Sequence, residues 1–252
     1  MLTADLTGKR ALVTGGASGI GKATATLLAR CGATVAINHL ADDGRGAATV
    51  DELNAAGFQA IVAPGNVAEG EDCVRMVKDA ISALGGLDIL INNAGTPVNN
   101  EPIPFEDLDA MTDEFWDKII STNLLGPFRC TRAAASALKE GGGCVVSTAS
   151  IAGLGSNASS IAYASGKAGL INLTRNLSKA LSPEVRVNAV APGLNRTPWT
   201  DTWPDERKER SVAETMLQRM VEPEDIAEAM LYLTVNKAVT GQTVVVDCGR
   251  RD

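Results

Sequence analysis

The stretch RALVTGGASGIG, residues 10–21, decides how the rest of the chain is read. It opens as a short apolar run, breaks at a glycine-rich turn, and continues into a helical pattern through Ala25, Leu28 and Ala29 as far as the breaker Gly32. Strand, glycine-rich turn and helix in that order aim free backbone N–H groups and the positive end of a helix at a phosphate. Gly15, Gly19 and Gly21 permit the tight turn and a close backbone approach, with Ser18 and Ile20 between them on the same turn. Its place directly after the first strand is what points to a nucleotide.

The alternation repeats outward from that unit. Apolar runs at 34–37, 59–63, 88–91, 144–147, 186–190 and 243–246 read as strands, and amphipathic segments at 44–56, 71–84, 112–139, 160–181 and 223–235 read as helices. Strands alternating with helices imply a parallel sheet covered on both faces by right-handed crossovers. The expected fold is therefore α/β: a single-domain, Rossmann-type, doubly wound parallel sheet of about seven strands. No linker, repeat or low-complexity segment divides residues 1–252. In the 112–139 helix Thr112 reads as the N-cap, Phe115, Ile119, Leu124 and Phe128 recur at helical spacing, and Pro127 should kink it locally. The 160–181 helix is rich in small residues, which allow another backbone to approach closely.

Composition narrows the function. Hydrophobic residues make up 45% of the 252 and aromatic ones only 4%, as suits tightly packed strands and helices rich in Ala, Val, Ile and Leu. A net charge of −7 with no basic block argues against nucleic acid or an anionic membrane as a partner. The five cysteines are scattered and without a CxxC, and read as small buried residues in a reducing compartment. With His39 the only histidine, neither a His-based zinc site nor a Ser/His/Asp triad can be built, and no metal is expected. The start, MLTADLTGKR, lacks the apolar core of a signal peptide, and no apolar run approaches the ~18 residues of a membrane span, so a cytoplasmic protein is expected.

The chemistry points to SIAGLGSNASSIAYASGK, residues 150–167. Tyr163 and Lys167 are four apart and share one helix face. A phenol titrates near ~10 in water, and a cation at close range favours the phenolate, bringing proton exchange toward neutral pH. Ser150 follows a strand-like run and could hydrogen-bond a substrate oxygen there.

These pieces together resemble the short-chain dehydrogenase/reductase family over nearly the whole chain. The matching motifs are TGGASGIG at 14–21, NNAG at 92–95, Asn123, Ser150, Tyr163 with Lys167, ProGly at 192–193 followed by Thr197, and, late in the chain, EDIA at 224–227 and TGQ at 240–242. The resemblance implies a nicotinamide-dependent oxidoreductase acting on a small alcohol or carbonyl compound. Tyr163 would exchange a proton with the substrate oxygen, Lys167 would hold the nicotinamide ribose, Ser150 would orient the substrate, and Asn123 would help hold a water leading from Lys167 to solvent. It further implies that Asn93, Ala94 and Gly95 run along the cofactor ribose, that Asn66 and Val67 lie beside the adenine, and that Pro192, Gly193 and Thr197 lie near the carboxamide or a phosphate. Asn66 stands where the family usually has Asp, Asn195 where it has Ile or Val, and Cys248 where it has Gly.

Two rival functions share the glycine loop: a methyltransferase, and a non-catalytic dinucleotide-binding sensor. Neither gives a reason for Ser150, Tyr163 and Lys167 to occur together. For the cofactor, the second strand ends in Asn38, His39 and Leu40 with no carboxylate to bind ribose hydroxyls; Asn38 and His39 could bond a phosphate, so the lean is to NADP(H) over NAD(H). The long helices imply, by resemblance, a homotetramer or homodimer. Residues 194–216, carrying Trp199 and Trp203 and the charged run DERKER, read as a lid over substrate; residues 96–100 and those after Ser150 are further candidate substrate contacts.

Overall fold

Seven apolar runs pair into one sheet: β1 (Arg10–Val13), β2 (Thr34–His39), β3 (Ala60–Pro64), β4 (Ile89–Asn92), β5 (Cys144–Thr148), β6 (Arg186–Pro192) and β7 (Thr243–Val246). Their order is β3-β2-β1-β4-β5-β6-β7, and every neighbouring pair is parallel. The computed structural model describes residues 2–99, 101–155, 158–201 and 203–250. Asn100, in the expected substrate-contact loop, and Thr202, in the expected lid, lie outside the described residues, as do residues 1, 251 and 252 at the ends of the expected domain.

Parallel pairing demands crossovers, and the amphipathic segments provide them: α1 (Gly19–Arg30), α2 (Arg45–Ala55), α3 (Gly70–Leu84), α4 (Asp113–Ile120), α5 (Gly126–Gly141), α6 (Ile161–Leu181) and, after two short helices, α9 (Pro223–Val235). Because side chains alternate along a strand, the core divides into two layers. Ala11, Val13, Val35, Ile37, Ile89 and Ile91 face one way and pack with α1, α2 and α9. Leu12, Ala36, Leu90 and Val145 face the other and pack with α3 and α5. Residues such as Leu28, Met76, Leu90 and Leu138 are fully buried, each worth about 2 kcal/mol of apolar transfer.

The 112–139 helix is not continuous. Thr112 caps it as expected, its hydroxyl accepting from the Phe115 N–H at 3.3 Å. Between α4 and α5, however, Ser121–Leu125 forms a π turn. Pro127 supplies the reason: it has no N–H for the carbonyl four residues back, that of Asn123, and the wider i→i+5 pattern passes the acceptor to the next N–H. The distortion thus falls ahead of the proline, and Pro127 itself sits in the first turn of α5.

The connection from β6 to α9 holds α7 (Pro198–Asp201) and α8 (Asp205–Ala213), the latter burying none of its residues. No described helix is long and apolar enough to cross a membrane.

Candidate active site

The strands deliver their loops to one edge of the sheet. The chain order reverses at β1, which lies between β2 and β4, the place where open parallel sheets form a crevice at the carboxyl ends of their strands. Thr14, the residue after β1, ties the two sides of that crevice together: its hydroxyl accepts from the N–H groups of Asn93 at 2.9 Å and Ala94 at 3.0 Å, and donates to the Ile91 carbonyl at 3.2 Å. The Asn93 amide donates back to the carbonyls of Thr14 and Gly15 at 3.2 and 3.1 Å and accepts from the Thr148 hydroxyl at 3.1 Å. The glycine turn, the NNAG segment and the end of β5 are therefore one hydrogen-bonded unit.

The glycines have individual reasons. Gly15 has φ +61° and Gly19 φ +49°, in the left-handed region. Gly21 is fixed by space: a Cβ there would stand 2.1 Å from the Gly15 carbonyl oxygen. The first turn of α1 carries no acidic residue and Ser18 makes no side-chain cap, so the helix N–H groups and positive end face the crevice without a carboxylate. A bare helix end beneath a turn that admits no side chain fits a pyrophosphate. Ile20 packs its side chain on the core, leaving only its backbone toward the turn. Val67 is buried against Gly126, and Asn66 spends its side-chain oxygen on the Ala68 N–H at 3.0 Å. On the far side, Thr197 lies on the glycine turn, its methyl 3.1 Å from where a Gly19 Cβ would be, while the Gly193 N–H donates to the Val246 carbonyl at 2.9 Å, holding the chain after Pro192 beside β7.

Ser150, Tyr163 and Lys167 come together where β5 gives way to α6. Ser150 caps a 3₁₀ turn at Ile151–Leu154, its hydroxyl accepting from the Ala152 N–H at 3.2 Å, and its side chain favours the ionised form of the Tyr163 phenol. Ser160 caps α6 by accepting from the Tyr163 N–H at 3.0 Å, which sets the position of the tyrosine in the first turn. Lys167 is buried; its ammonium donates to the Thr148 carbonyl at 2.7 Å and lies 5.6 Å from the centre of the Tyr163 ring. Burial brings the lysine down to about 8. Burial also pushes the Tyr163 phenol up to about 12, with the Ser150 hydrogen bond pulling the other way. The expectation that Lys167 draws the phenol toward neutrality is thus not met in this structure: desolvation outweighs Ser150, and the Lys167 ammonium is turned to the Thr148 carbonyl.

Asn123 is fully buried in the π turn, and its side chain is spent on the loop after NNAG, accepting from the Thr96 N–H at 3.0 Å and donating to the Thr96 carbonyl at 2.8 Å. A Cβ on Gly95 would fall 2.7 Å from the Asn123 side-chain oxygen and 3.6 Å from the Lys167 ammonium, so the three motifs meet at that glycine.

Asn38 departs from expectation. Its side chain is buried, accepts from the Gly15 N–H at 3.2 Å and donates to the carbonyls of Ala63 and Gly65 at 3.0 and 2.9 Å. It braces the glycine turn against β3 and is not free for a phosphate. His39 is half-buried at the end of β2, one ring nitrogen beside the Leu40 carbonyl and the other without a partner among the described residues. Sequence reasoning passed over Thr148, whose carbonyl and hydroxyl hold Lys167 and Asn93; its signal is a polar Ser-Thr ending on an otherwise apolar strand.

Within residues 194–216 the tryptophans differ. Trp199 is 46% exposed, whereas Trp203 is half-buried with the Arg207 guanidinium stacked 3.3 Å from its ring centre. Arg207 also reaches Glu101 at 3.4 Å, joining α8 to the loop that follows β4.

Residues 15–251 match a family model described as enoyl-(acyl carrier protein) reductase. The chain is 36% identical over 245 residues to the 3-oxoacyl-(acyl-carrier-protein) reductase FabG of Staphylococcus aureus, covering 96% of this chain and 97% of that one. A short-chain dehydrogenase from Burkholderia cenocepacia in complex with NADP superposes with a TM-score of 0.87 at 32% identity, covering 97% of this chain and 98% of the other. A 3-oxoacyl-(acyl-carrier protein) reductase from Brucella melitensis with bound NAD does so with 0.87 at 32%, covering 98% and 92%.

Proposed function

The chain belongs to the short-chain dehydrogenase/reductase family and is an NAD(P)-dependent oxidoreductase for small carbonyl or alcohol substrates; from that premise we propose that Tyr163 is its acid/base and that it interconverts a ketone and a secondary alcohol. The observation that carries this reading is the trio at the end of β5: half-buried Ser150 and Tyr163, the serine favouring the phenolate, with buried Lys167 one turn further along α6. The bound dinucleotide supplies the hydride acceptor or donor. Its pyrophosphate would lie on Gly15, Ser18, Gly19, Ile20 and Gly21, its adenine by Asn66 and Val67, one ribose along Asn93, Ala94 and Gly95, and its nicotinamide end by Pro192, Gly193 and Thr197.

In the reductive direction the Tyr163 hydroxyl donates its proton to the substrate oxygen, and Ser150 hydrogen-bonds the same oxygen and fixes its direction. A phenol held at about 12 is protonated and ready to donate at neutral pH. Lys167, at about 8, is poised to pass a proton onward and to stabilise the phenolate once it forms. The side chain of Asn123 is taken by Thr96, so any water it helps hold beside Lys167 would have to share those hydrogen-bonding groups.

The relatives support a 3-oxoacyl thioester as the substrate class. Residues 194–216 would close over it, with exposed Trp199 turning inward. NADP(H) is favoured over NAD(H), on the missing carboxylate at the end of β2 and on His39. A homotetramer or homodimer would cover the apolar strip of Tyr232, Val235 and Val245 left exposed along α9 and the edge strand β7; light scattering at micromolar concentration should show more than a monomer mass. The five buried free cysteines fit a cytoplasmic setting. The deciding experiment follows absorbance of reduced nicotinamide with a panel of ketones, steroids, sugars and 3-oxoacyl thioesters. Oxidation by the thioesters that is lost in Tyr163→Phe supports the reading, and a flat trace with every carbonyl would reject it.

A further inference from the structure

Two thiols that the proposed chemistry does not use lie against each other in the core layer under α3 and α5. Cys73, in the first turn of α3, and Cys130, in α5, are both fully buried, and their Sγ atoms stand 3.4 Å apart in one hydrogen bond. That bond is the main reason Cys73 is held below the ordinary thiol range, with Arg129 and Arg132 acting the same way, while the bond and burial push Cys130 up. Cys73 is thus the sulfur more readily ionised, and Cys130 is already in contact with it.

The covering over the pair is thin at one end. Glu69 gives α3 no side-chain cap, so the turn that carries Cys73 opens at little cost. Gly70, three residues earlier and on the same side of the helix, has no Cβ to shield it; the nearest group there is the half-buried Arg129 side chain, its Nε 3.8 Å from where a Cβ would stand. A long, partly solvated cation is moved aside more easily than packed apolar side chains, and a groove lined by Gly70, Val74 and Arg132 runs along the same seam.

The residue before each cysteine grips one short loop. Asp72 accepts from the Asn66 N–H at 2.6 Å, and Arg129 donates to the Ala68 carbonyl at 2.6 Å. Between them Val67 packs on Gly126 so closely that a Cβ there would fall 3.1 Å from the Val67 Cγ2. We propose that Cys73 and Cys130 are a redox-modification site: a peroxide joins them in a disulfide, which displaces residues 66–68 and weakens dinucleotide binding. The effect on binding rests on the reading that the adenine lies by Asn66 and Val67. The Cys73 sulfur attacks one peroxide oxygen, forming S–O as O–O breaks, and the departing hydroxide takes up the thiol proton as water. The Cys130 sulfur then displaces hydroxide from that sulfenic acid, forming S–S as S–O breaks, and its proton leaves in a second water. The two sulfurs give up the electron pair that the peroxide gains. Shortening the contact from 3.4 Å to a bond of about 2.0 Å draws α3 toward α5, and with no slack between Val67 and Gly126 the loop has to yield. A transient disulfide of this kind suits a compartment that otherwise keeps thiols reduced.

The test treats the reduced protein with hydrogen peroxide, removes the excess with catalase, and measures thiols in denaturant, intact mass, and the dissociation constants of NADH and NADPH by fluorescence titration. The titratable thiols should fall from five to three, the mass should drop by about 2 Da, and the two lost thiols should map to one cross-linked peptide pair holding Cys73 and Cys130. The constant for whichever reduced dinucleotide binds should rise about fivefold and return to its starting value with dithiothreitol. Cys73→Ala and Cys130→Ala, which keep a small apolar side chain, should bind cofactor as the reduced wild type does and should show neither change on peroxide treatment. Five thiols surviving in the wild type, a gain of oxygen that dithiothreitol does not reverse, or an equal loss of affinity in the alanine variants would overturn the proposal. So would a Cys73–Cys130 disulfide that leaves cofactor affinity unchanged. Reduced protein that binds neither dinucleotide would refute the oxidoreductase reading and, with it, the effect on binding, whereas the thiol count and mass would still decide whether the disulfide forms.

Discussion

The floor of the candidate site and residues 194–216, its proposed cover, are built on opposite principles. At the floor, Lys167, Asn123 and Thr148 are buried, and hydrogen bonds fix the groups: the Lys167 ammonium by the Thr148 carbonyl, the Asn123 amide by the Thr96 backbone, and the Tyr163 N–H by the Ser160 hydroxyl. The cover, by contrast, has α8 with no buried residue, a tryptophan half in solvent, and Arg207 joined across to a Glu101 that is itself 74% exposed. A proton-transfer group has to be placed to a fraction of an ångström, which only packed elements achieve, whereas a segment that admits substrate must exchange its contacts with water at little cost. Changes at the floor should therefore alter chemistry and stability, and changes in the cover should alter substrate binding alone.

The largest effect expected is at Tyr163. Tyr163→Phe removes the proton donor and keeps the ring, so kcat should fall about a thousandfold, roughly 4 kcal/mol, with the dissociation constant of reduced cofactor within about twofold. Turnover within tenfold of wild type would break the assignment.

Lys167→Met sharpens the comparison through stability. Burial lowers the lysine from 10.5 to about 8, so folding at neutral pH carries the cost of a desolvated ammonium, at most about 3 kcal/mol. The variant loses activity but should gain about 2 kcal/mol at pH 7, after allowing for the abandoned Thr148 carbonyl. The sign follows from proton counting: between about 8 and 10.5 the unfolded chain holds the proton and the folded one does not, so this group makes the wild type more stable as pH rises through that window. Denaturant titrations at pH 7 and 10 should show the variant's advantage disappearing; an advantage that grew with pH would be wrong in sign.

In the cover, Trp199→Ala should raise the substrate KM about five- to tenfold, near 1 kcal/mol, with kcat within about twofold and Tm unchanged, since nearly half the ring is already in water. Tryptophan fluorescence should shift when cofactor binds. Unchanged kinetics in both Trp199→Ala and Trp203→Ala would leave only packing as their role. Smallest is Arg207→Gln, which removes the stack on Trp203 and the long contact to Glu101, about 0.5 to 1 kcal/mol. A two- to threefold rise in KM is expected, and a loss of kcat would mean that the cover reaches the reacting groups after all.

Much of this site is legible in the chain because its parts are local. The glycine turn follows directly on β1, Tyr163 and Lys167 are one helical turn apart, and Thr112 and Ser160 cap the helices they precede. What could not be read depends on neighbours distant in sequence. Asn38 reads as a cofactor ligand until Ala63 and Gly65, 25 and 27 residues on, take its donors. Asn123 reads as an ordinary helical amide or a water ligand until Thr96, 27 residues back, takes both ends of its side chain. The π turn needed both Pro127 and that side-chain tether to be visible.

By itself the sequence determined the order of strands and helices, the glycines that admit a phosphate, and the presence of a phenol and an amine on one helix face. Period and spacing are properties of a few adjacent residues, and one backbone geometry translates them into position. Only the tertiary structure decided the state of those groups: that Tyr163 stands at about 12 and Lys167 at about 8, that Asn38 is spent, and that His39 keeps one nitrogen without a partner among the described residues. Desolvation and hydrogen-bond satisfaction are set by what the folded chain brings alongside, such as Asn93 reaching Thr14 across 79 residues, and no local pattern records it.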